Sequence, residues 1–228
     1  MPISPKTAPS ATPRRCEMCT LPAIANARHE TFPFSHWHLQ NVLSPADLAE
    51  IAAISLAAPQ EVETAGRRET HNASRRFFDT EVQRTYPACG ALANLLQSPL
   101  MAAAWETLTG TDLKGTNLRI EYCQDMGGFW LEPHTDIGAK RFTMLLYLTD
   151  PPHSECWGTD LLTPDGKLAV RATGAANSAI IFIPSANSWH GFAPRPITGV
   201  RKTLIINYVV PEWRARHELC FPGQPISA

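Results

Sequence analysis

Glu132-Pro133-His134-Thr135-Asp136, read with His190 and Arg201 further along, decides how this chain folds and what it can hold. Pro133 biases the residue before it away from helix, so the segment is read as extended. In an extended segment residues two apart share a face, so His134 and Asp136 point one way and Thr135 the other. Two imidazoles and one carboxylate form a donor set for a divalent metal, and three protein ligands leave further coordination positions open. His190 must arrive from elsewhere, and the loop after a candidate strand at 178–183 is a suitable carrier. Arg201 opens the strand that follows. A guanidinium fixed there can grip the far carboxylate of a dicarboxylic co-substrate in bidentate fashion.

Around this constellation the apolar pattern has period two. It predicts strands at 117–123, 129–131, 141–148, 167–171, 178–183 and 202–209. Met126-Gly127-Gly128, Asp150-Pro151-Pro152, Thr163-Pro164-Asp165-Gly166 and Arg195-Pro196-Ile197-Thr198-Gly199 separate them as turns. Upstream the pattern is helical. Ser44-Pro45-Ala46-Asp47 is a helix start, with Ser44 as cap, Pro45 at the first helical position and Asp47 on the positive end of the dipole. Further helices are predicted at 91–96 and from Ser98-Pro99 to Leu108, ending at Gly110. An early strand falls at Trp37, His38 and Leu39. Residues 60–85 read as a long polar loop with a short strand in it, of the kind that often forms a functional lid. Helices followed by many short strands predict a mainly β fold with flanking α-helices: a double-stranded β-helix barrel, jelly-roll or cupin-like, backed by N-terminal helices.

Composition narrows the class. The chain has 228 residues, 44% hydrophobic and 18% charged, with a net charge of −1. That length suits a flexible tail over residues 1–28 and a single domain over 29–228, with a barrel core at about 116–210. The balanced charge offers no field for nucleic acid and no polybasic membrane patch. No apolar run approaches the roughly 20 residues of a membrane helix. Nothing after Met1 reads as a secretory signal, so the six cysteines are expected as reduced thiols in a cytoplasmic setting. Cys16-Glu17-Met18-Cys19 has no second ligand pair and is read as incidental.

Imidazole and carboxylate ligands with open positions suit Fe(II) better than structural zinc. On these residues the chain resembles the 2-oxoglutarate- and Fe(II)-dependent dioxygenases, in particular the prolyl-4-hydroxylase-like branch. The resemblance spans about Thr116 to Val210. It rests on Glu132 to Asp136, on Arg141 to Thr149, on Trp157-Gly158-Thr159-Asp160-Leu161, on Trp189-His190-Gly191 and on Arg201-Lys202-Thr203. The family usually carries two glycines before the Leu of the third motif, whereas here Trp157 precedes a single Gly158. The resemblance implies Fe(II) on His134, Asp136 and His190, with 2-oxoglutarate and O2 as co-substrates and ascorbate as reductant. It implies that Arg201 holds the 5-carboxylate, with Thr203, Tyr147 and Tyr122 as candidate hydroxyl partners. The implied activity is hydroxylation of an unactivated C–H bond with release of succinate and CO2. Retention of Asp136 argues against halogenation, where relatives lack the carboxylate ligand.

The substrate is expected to be a small molecule, and an Arg pair would suit an anionic one. Trp130 and Glu132, just before the triplet, Asn207 on the Arg201 face, and Arg76 beside Arg75 in the polar loop are the candidates to touch it. Two other classes stand against this reading. A non-catalytic cupin-like binding module would not need the ordered His-x-Asp, His and Arg. A zinc hydrolase would use the same three ligands with Glu132 as base, and would not need Arg201 and Thr203.

Overall fold

The computed structural model describes residues 13–55, 66–67 and 75–227. In chain order its helices and strands are α1 (Pro13–Ala25), β1 (Arg28–Glu30), β2 (His36–Gln40), α2 (Pro45–Ala52), β3 (Arg75–Phe77), α3 (Thr80–Thr85), α4 (Pro87–Gln97), α5 (Pro99–Thr109), β4 (Asn117–Asp125), β5 (Leu131–His134), β6 (Lys140–Tyr147), β7 (Asp160–Leu162), β8 (Leu168–Arg171), β9 (Ser178–Phe182), β10 (His190–Phe192) and β11 (Arg201–Val209). Two antiparallel sheets result. The larger has the order β1-β2-β9-β6-β11-β4-β3 and the smaller β5-β10-β7-β8. Together they form the expected double-stranded β-helix with helices behind it. Among the described residues no strand pairing joins the sheets, so the expected barrel does not close.

Alternation sorts side chains between two environments. On β6, Phe142, Met144 and Leu146 enter the core shared with the helices. Leu145 and Tyr147 enter a second core between the sheets. On β11, Leu204, Ile206 and Tyr208 face the helices, while Arg201 and Ile205 face the inter-sheet space. On β4, Leu118, Ile120 and Tyr122 face the helices, while Arg119 and Glu121 face the inter-sheet space. The sheet is therefore apolar on its helix side and carries charges at alternate positions on its inner side. Leu92 and Leu96 of α4 and Met101 and Trp105 of α5, all essentially inaccessible, complete the helix-side core.

The helix starts follow their capping chemistry. Ser44 Oγ accepts from Asp47 N at 3.1 Å and donates to Asp47 Oδ2 at 2.6 Å. Asp79 caps α3 through Val82 N, and Ser98 caps α5 through Met101 N. Gly110 ends α5 with φ 73°, the left-handed conformation glycine tolerates. Helix α4 begins earlier than its apolar run, because Pro87 sits in its first turn and Glu50 Oε1 of α2 accepts from Ala88 N at 2.8 Å.

Two expectations are corrected here. The tail proposed for residues 1–28 instead contains α1, whose Ala23 and Ile24 are buried in the helix-side core; residues 1–12 lie outside the described residues. The loop expected at residues 60–85 carries its short strand as β3, with Arg75–Phe77 paired to β4, but it also holds the helix α3, capped by Asp79; residues 60–65 and 68–74 lie outside the described residues. Local polarity hid both helices, because their order comes from packing with distant residues. No helix among the described residues is long and apolar enough to cross a membrane.

Candidate metal centre and cavity

Strand pairing brings the two histidines together. β10 runs antiparallel to β5 with His190 directly opposite His134, and the ring centroids lie 4.3 Å apart. His190 stands at the first residue of β10 itself, where a loop had been expected to carry it. Asp136 follows two residues after His134. One donor atom from each of His134, Asp136 and His190 lies within 4.8 Å of the others, the geometry of a group able to hold one metal ion.

The tautomers are set by backbone carbonyls. His134 Nδ1 lies 2.8 Å from Glu132 O, and His190 Nδ1 lies 2.9 Å from Ser188 O. A carbonyl only accepts, so each Nδ1 carries the proton and each Nε2 is left as a lone-pair donor. Burial, with His134 next in weight, pushes His190 down to about 4, so its ring is neutral near pH 7, as a metal ligand must be. Phe182 forms an apolar wall with its ring 4.7 Å from that of His190. Burial pushes the Asp136 carboxyl up, but the charge of Lys140, hydrogen bonds from Lys140 and Thr143 and, where its ring is protonated, the charge of His190 outweigh it and hold it low. Lys140 Nζ lies 2.5 Å from Oδ1 and Thr143 Oγ1 lies 2.6 Å from Oδ2.

The three residues line a cavity of about 630 Å³ between the sheets. Arg201 lies at its wall, 3% exposed. Its Nε donates to Trp157 O at 2.7 Å and its Nη1 to Asp125 Oδ2 at 2.5 Å. The Tyr147 and Phe192 rings flank the guanidinium at 5.5 and 4.9 Å. Gly158 permits this arrangement, since a Cβ there would fall 1.7 Å from Ala172 O. The residue preceding it, Trp157, supplies the carbonyl that orients Arg201.

The remaining candidates divide by strand parity and packing. Thr203 shares the inner face with Arg201; its Oγ1 is buried without a partner, the kind of orphan a ligand carboxylate would satisfy. Tyr147 donates its hydroxyl to Thr159 Oγ1 and accepts from Thr159 N, both at 2.9 Å, and it is Thr159 that lines the cavity. Tyr122 is corrected. It faces the helices, with its hydroxyl 3.5 Å from Ile54 O, one residue out of phase with Glu121. Arg76 is corrected likewise, since it turns to Glu81 while Arg75 lines the cavity and binds Glu121. Trp130 packs its ring against Gly66, where a Cβ would meet ring carbons at 2.5 Å. Glu132 lines the cavity mouth beside Arg67, at 3.5 Å. Asn207 is fully buried and bonds Arg119 and Thr143.

Sequence reasoning missed Lys140, Thr159 and the charged wall of Arg119, Glu121 and Glu218. The available signal was Arg119 and Glu121 at alternate positions of an otherwise apolar strand. Arg119 bonds Glu218 Oε2 at 2.6 Å and Glu121 Oε2 at 2.7 Å, so each of these charges is met by its opposite.

No family model and no curated protein matches this sequence. Solved structures do match. A prolyl-4-hydroxylase from Pseudomonas putida is 15% identical with a TM-score of 0.55, over 84% of this chain and 97% of that one. A prolyl hydroxylase from Trichoplax adhaerens, solved with a hypoxia inducible factor peptide fragment, is 14% identical with a TM-score of 0.56, over 90% and 93%. A viral collagen prolyl hydroxylase from Paramecium Bursaria Chlorella virus-1, solved with 2-oxoglutarate, is 11% identical with a TM-score of 0.51, over 77% and 96%. By its two sheets, their strand order and these likenesses, the chain has the double-stranded β-helix fold of the prolyl hydroxylases.

Proposed function

We propose that this chain is a 2-oxoglutarate- and Fe(II)-dependent hydroxylase of a small molecule. One observation carries the reading: His134, Asp136 and His190 converge on a cavity whose wall also presents Arg201. The donor set fits the metal. Both Nε2 atoms are left as lone-pair donors by backbone bonds on Nδ1, the ring of His190 is neutral, and Asp136 is ionised. Fe(II) bound there, with 2-oxoglutarate and O2, supplies the oxidising power that converts a C–H bond to an alcohol while releasing succinate and CO2.

The protein's part is to bind, orient and exclude. Arg201 is pinned by Trp157 O and Asp125, so it meets a carboxylate without reordering a flexible side chain. Thr159, which lines the cavity, adds a polar contact beside it. A cavity of about 630 Å³ is of ligand-pocket size. At its mouth Glu132 N donates to Gly66 O at 3.0 Å, which occupies a backbone donor that an extended peptide would need on the β5 edge. That contact favours a small molecule over a peptide.

The test is anaerobic titration of 2-oxoglutarate into the Fe(II)-loaded protein, followed in the visible. A saturable metal-to-ligand charge-transfer band, absent with Zn(II), is the expected result. Bound iron without the band would overturn the reading.

A further inference from the structure

Asp136 is the ligand whose geometry is least determined by the backbone, because a carboxylate rotates broadly about its last torsion. Three consecutive hydrogen bonds remove that freedom. Thr143 Oγ1 donates to Asp136 Oδ2 at 2.6 Å, Asn207 Nδ2 donates to Thr143 Oγ1 at 2.9 Å, and Arg119 Nη1 donates to Asn207 Oδ1 at 3.2 Å. The two ends force the direction of every bond. A guanidinium only donates, so the amide must turn its oxygen to Arg119 and its nitrogen to Thr143. Thr143, already accepting from that nitrogen, turns its own proton to a carboxylate that only accepts. Thr143, Asn207 and Arg119 are 2%, 0% and 4% exposed, so water does not compete for these bonds.

The far end is rigid. Arg119 is held in its plane by Glu218 and Glu121 and lies 4.8 Å from the Phe77 ring and 5.5 Å from the Trp213 ring. We infer that Thr143 and Asn207, anchored by Arg119, are positioning residues that fix Asp136 for the metal and tie that ligand to the charged cavity wall. The inference rests on the metal-centre reading and assigns Asn207 to the metal ligand in place of the substrate.

The experiment is Co(II) titration of the full chain, reading the dissociation constant and the d–d absorption of the bound ion, with circular dichroism and melting to check folding. Thr143→Val keeps the shape and deletes the donor. Asn207→Asp keeps an acceptor for Arg119 but has no proton for Thr143. Both are expected to weaken Co(II) by on the order of 10- to 100-fold and to alter the d–d envelope. Thr143→Ser, which keeps the hydroxyl, is expected to restore both. Should Thr143→Val not fold, Thr143→Cys, with a weak donor of similar size, is expected to lie between wild type and full loss. Folded variants with wild-type affinity and an unchanged envelope would overturn the relay, even with lowered melting temperatures. Failure of the wild type itself to bind Co(II) would instead overturn the metal centre, and the relay with it.

Discussion

Arg201 and Asp125 form a buried ion pair across β11 and β4, with Nη1 2.5 Å from Oδ2 and side chains only 4% and 2% exposed. The cation that faces the cavity is thus neutralised from behind. Asp125→Ala would leave that cation buried without its partner, at a cost of about 3–5 kcal/mol. The urea midpoint is expected to fall accordingly, and an unchanged midpoint would show that the pair does not hold the strands.

Removing the cation breaks the same buried pair and adds a signature of its own. Arg201→Ala deletes hydrogen bonds to a charged group worth roughly 1.5–3 kcal/mol, about 10- to 100-fold in 2-oxoglutarate affinity. Metal affinity is expected to stay at the wild-type level, because Arg201 touches none of the three ligands. Equal losses in both titrations would place Arg201 in the metal site instead.

Tyr147→Phe separates the expected role of this residue from the observed one. Its hydroxyl is committed to Thr159, so 2-oxoglutarate affinity should change little. The buried Thr159 N–H loses its acceptor, which costs about 1–3 kcal/mol of stability. A large loss of co-substrate affinity with unchanged melting would return Tyr147 to the cavity.

Gly158→Ala places a methyl group on the Ala172 carbonyl. Because that neighbour is backbone, the two segments must separate, at a cost of about 1–3 kcal/mol or more. The Trp157 carbonyl moves with them, so weaker 2-oxoglutarate binding should accompany the lower melting temperature. A stable variant with normal binding would contradict the assigned contact.

The histidines of β2 predict that this end of the larger sheet is acid-sensitive. Burial lowers His36 and lowers His38 to about 4, with Arg28, Glu30 and His29 the nearby charges and His36 acting on His38. Values below 6.5 mean that the unfolded chain takes up these protons first. Stability is complete above about 6.5 and is lost as pH falls towards 4. His190 adds the same slope from the cavity. Replacing His36 and His38 by Gln should flatten the dependence of the urea midpoint on pH, and an undiminished slope would assign it elsewhere.

Much of this architecture was legible in the chain because alternation is local. The strand expected at 178–183 is Ser178–Phe182, and the one expected at 202–209 is Arg201–Val209. The His134, Asp136 and His190 cluster was legible because ligand chemistry admits few residue types. Parity was harder. Tyr122 was placed in the cavity although it is one residue out of step with Glu121, and a single-residue slip exchanges the faces of a strand. Arg76 failed for the same reason beside Arg75. Short strands such as β7 and β10 carry too few residues to show a period, and they exist because of their pairing. Asn207 was correctly read as inward-facing, but a sequence does not reveal which inward neighbour an amide meets.

The unclosed seam has a consequence for descent. β3 and β5 are edge strands of the two sheets, and both supply residues to the cavity. The histidines are instead fixed by the pairing of β5 with β10, and Asp136 by side chains of β6. Substitutions along the seam can therefore re-line the entrance while the ligand geometry stays put. A chain built this way can change what it accepts without changing how it reacts.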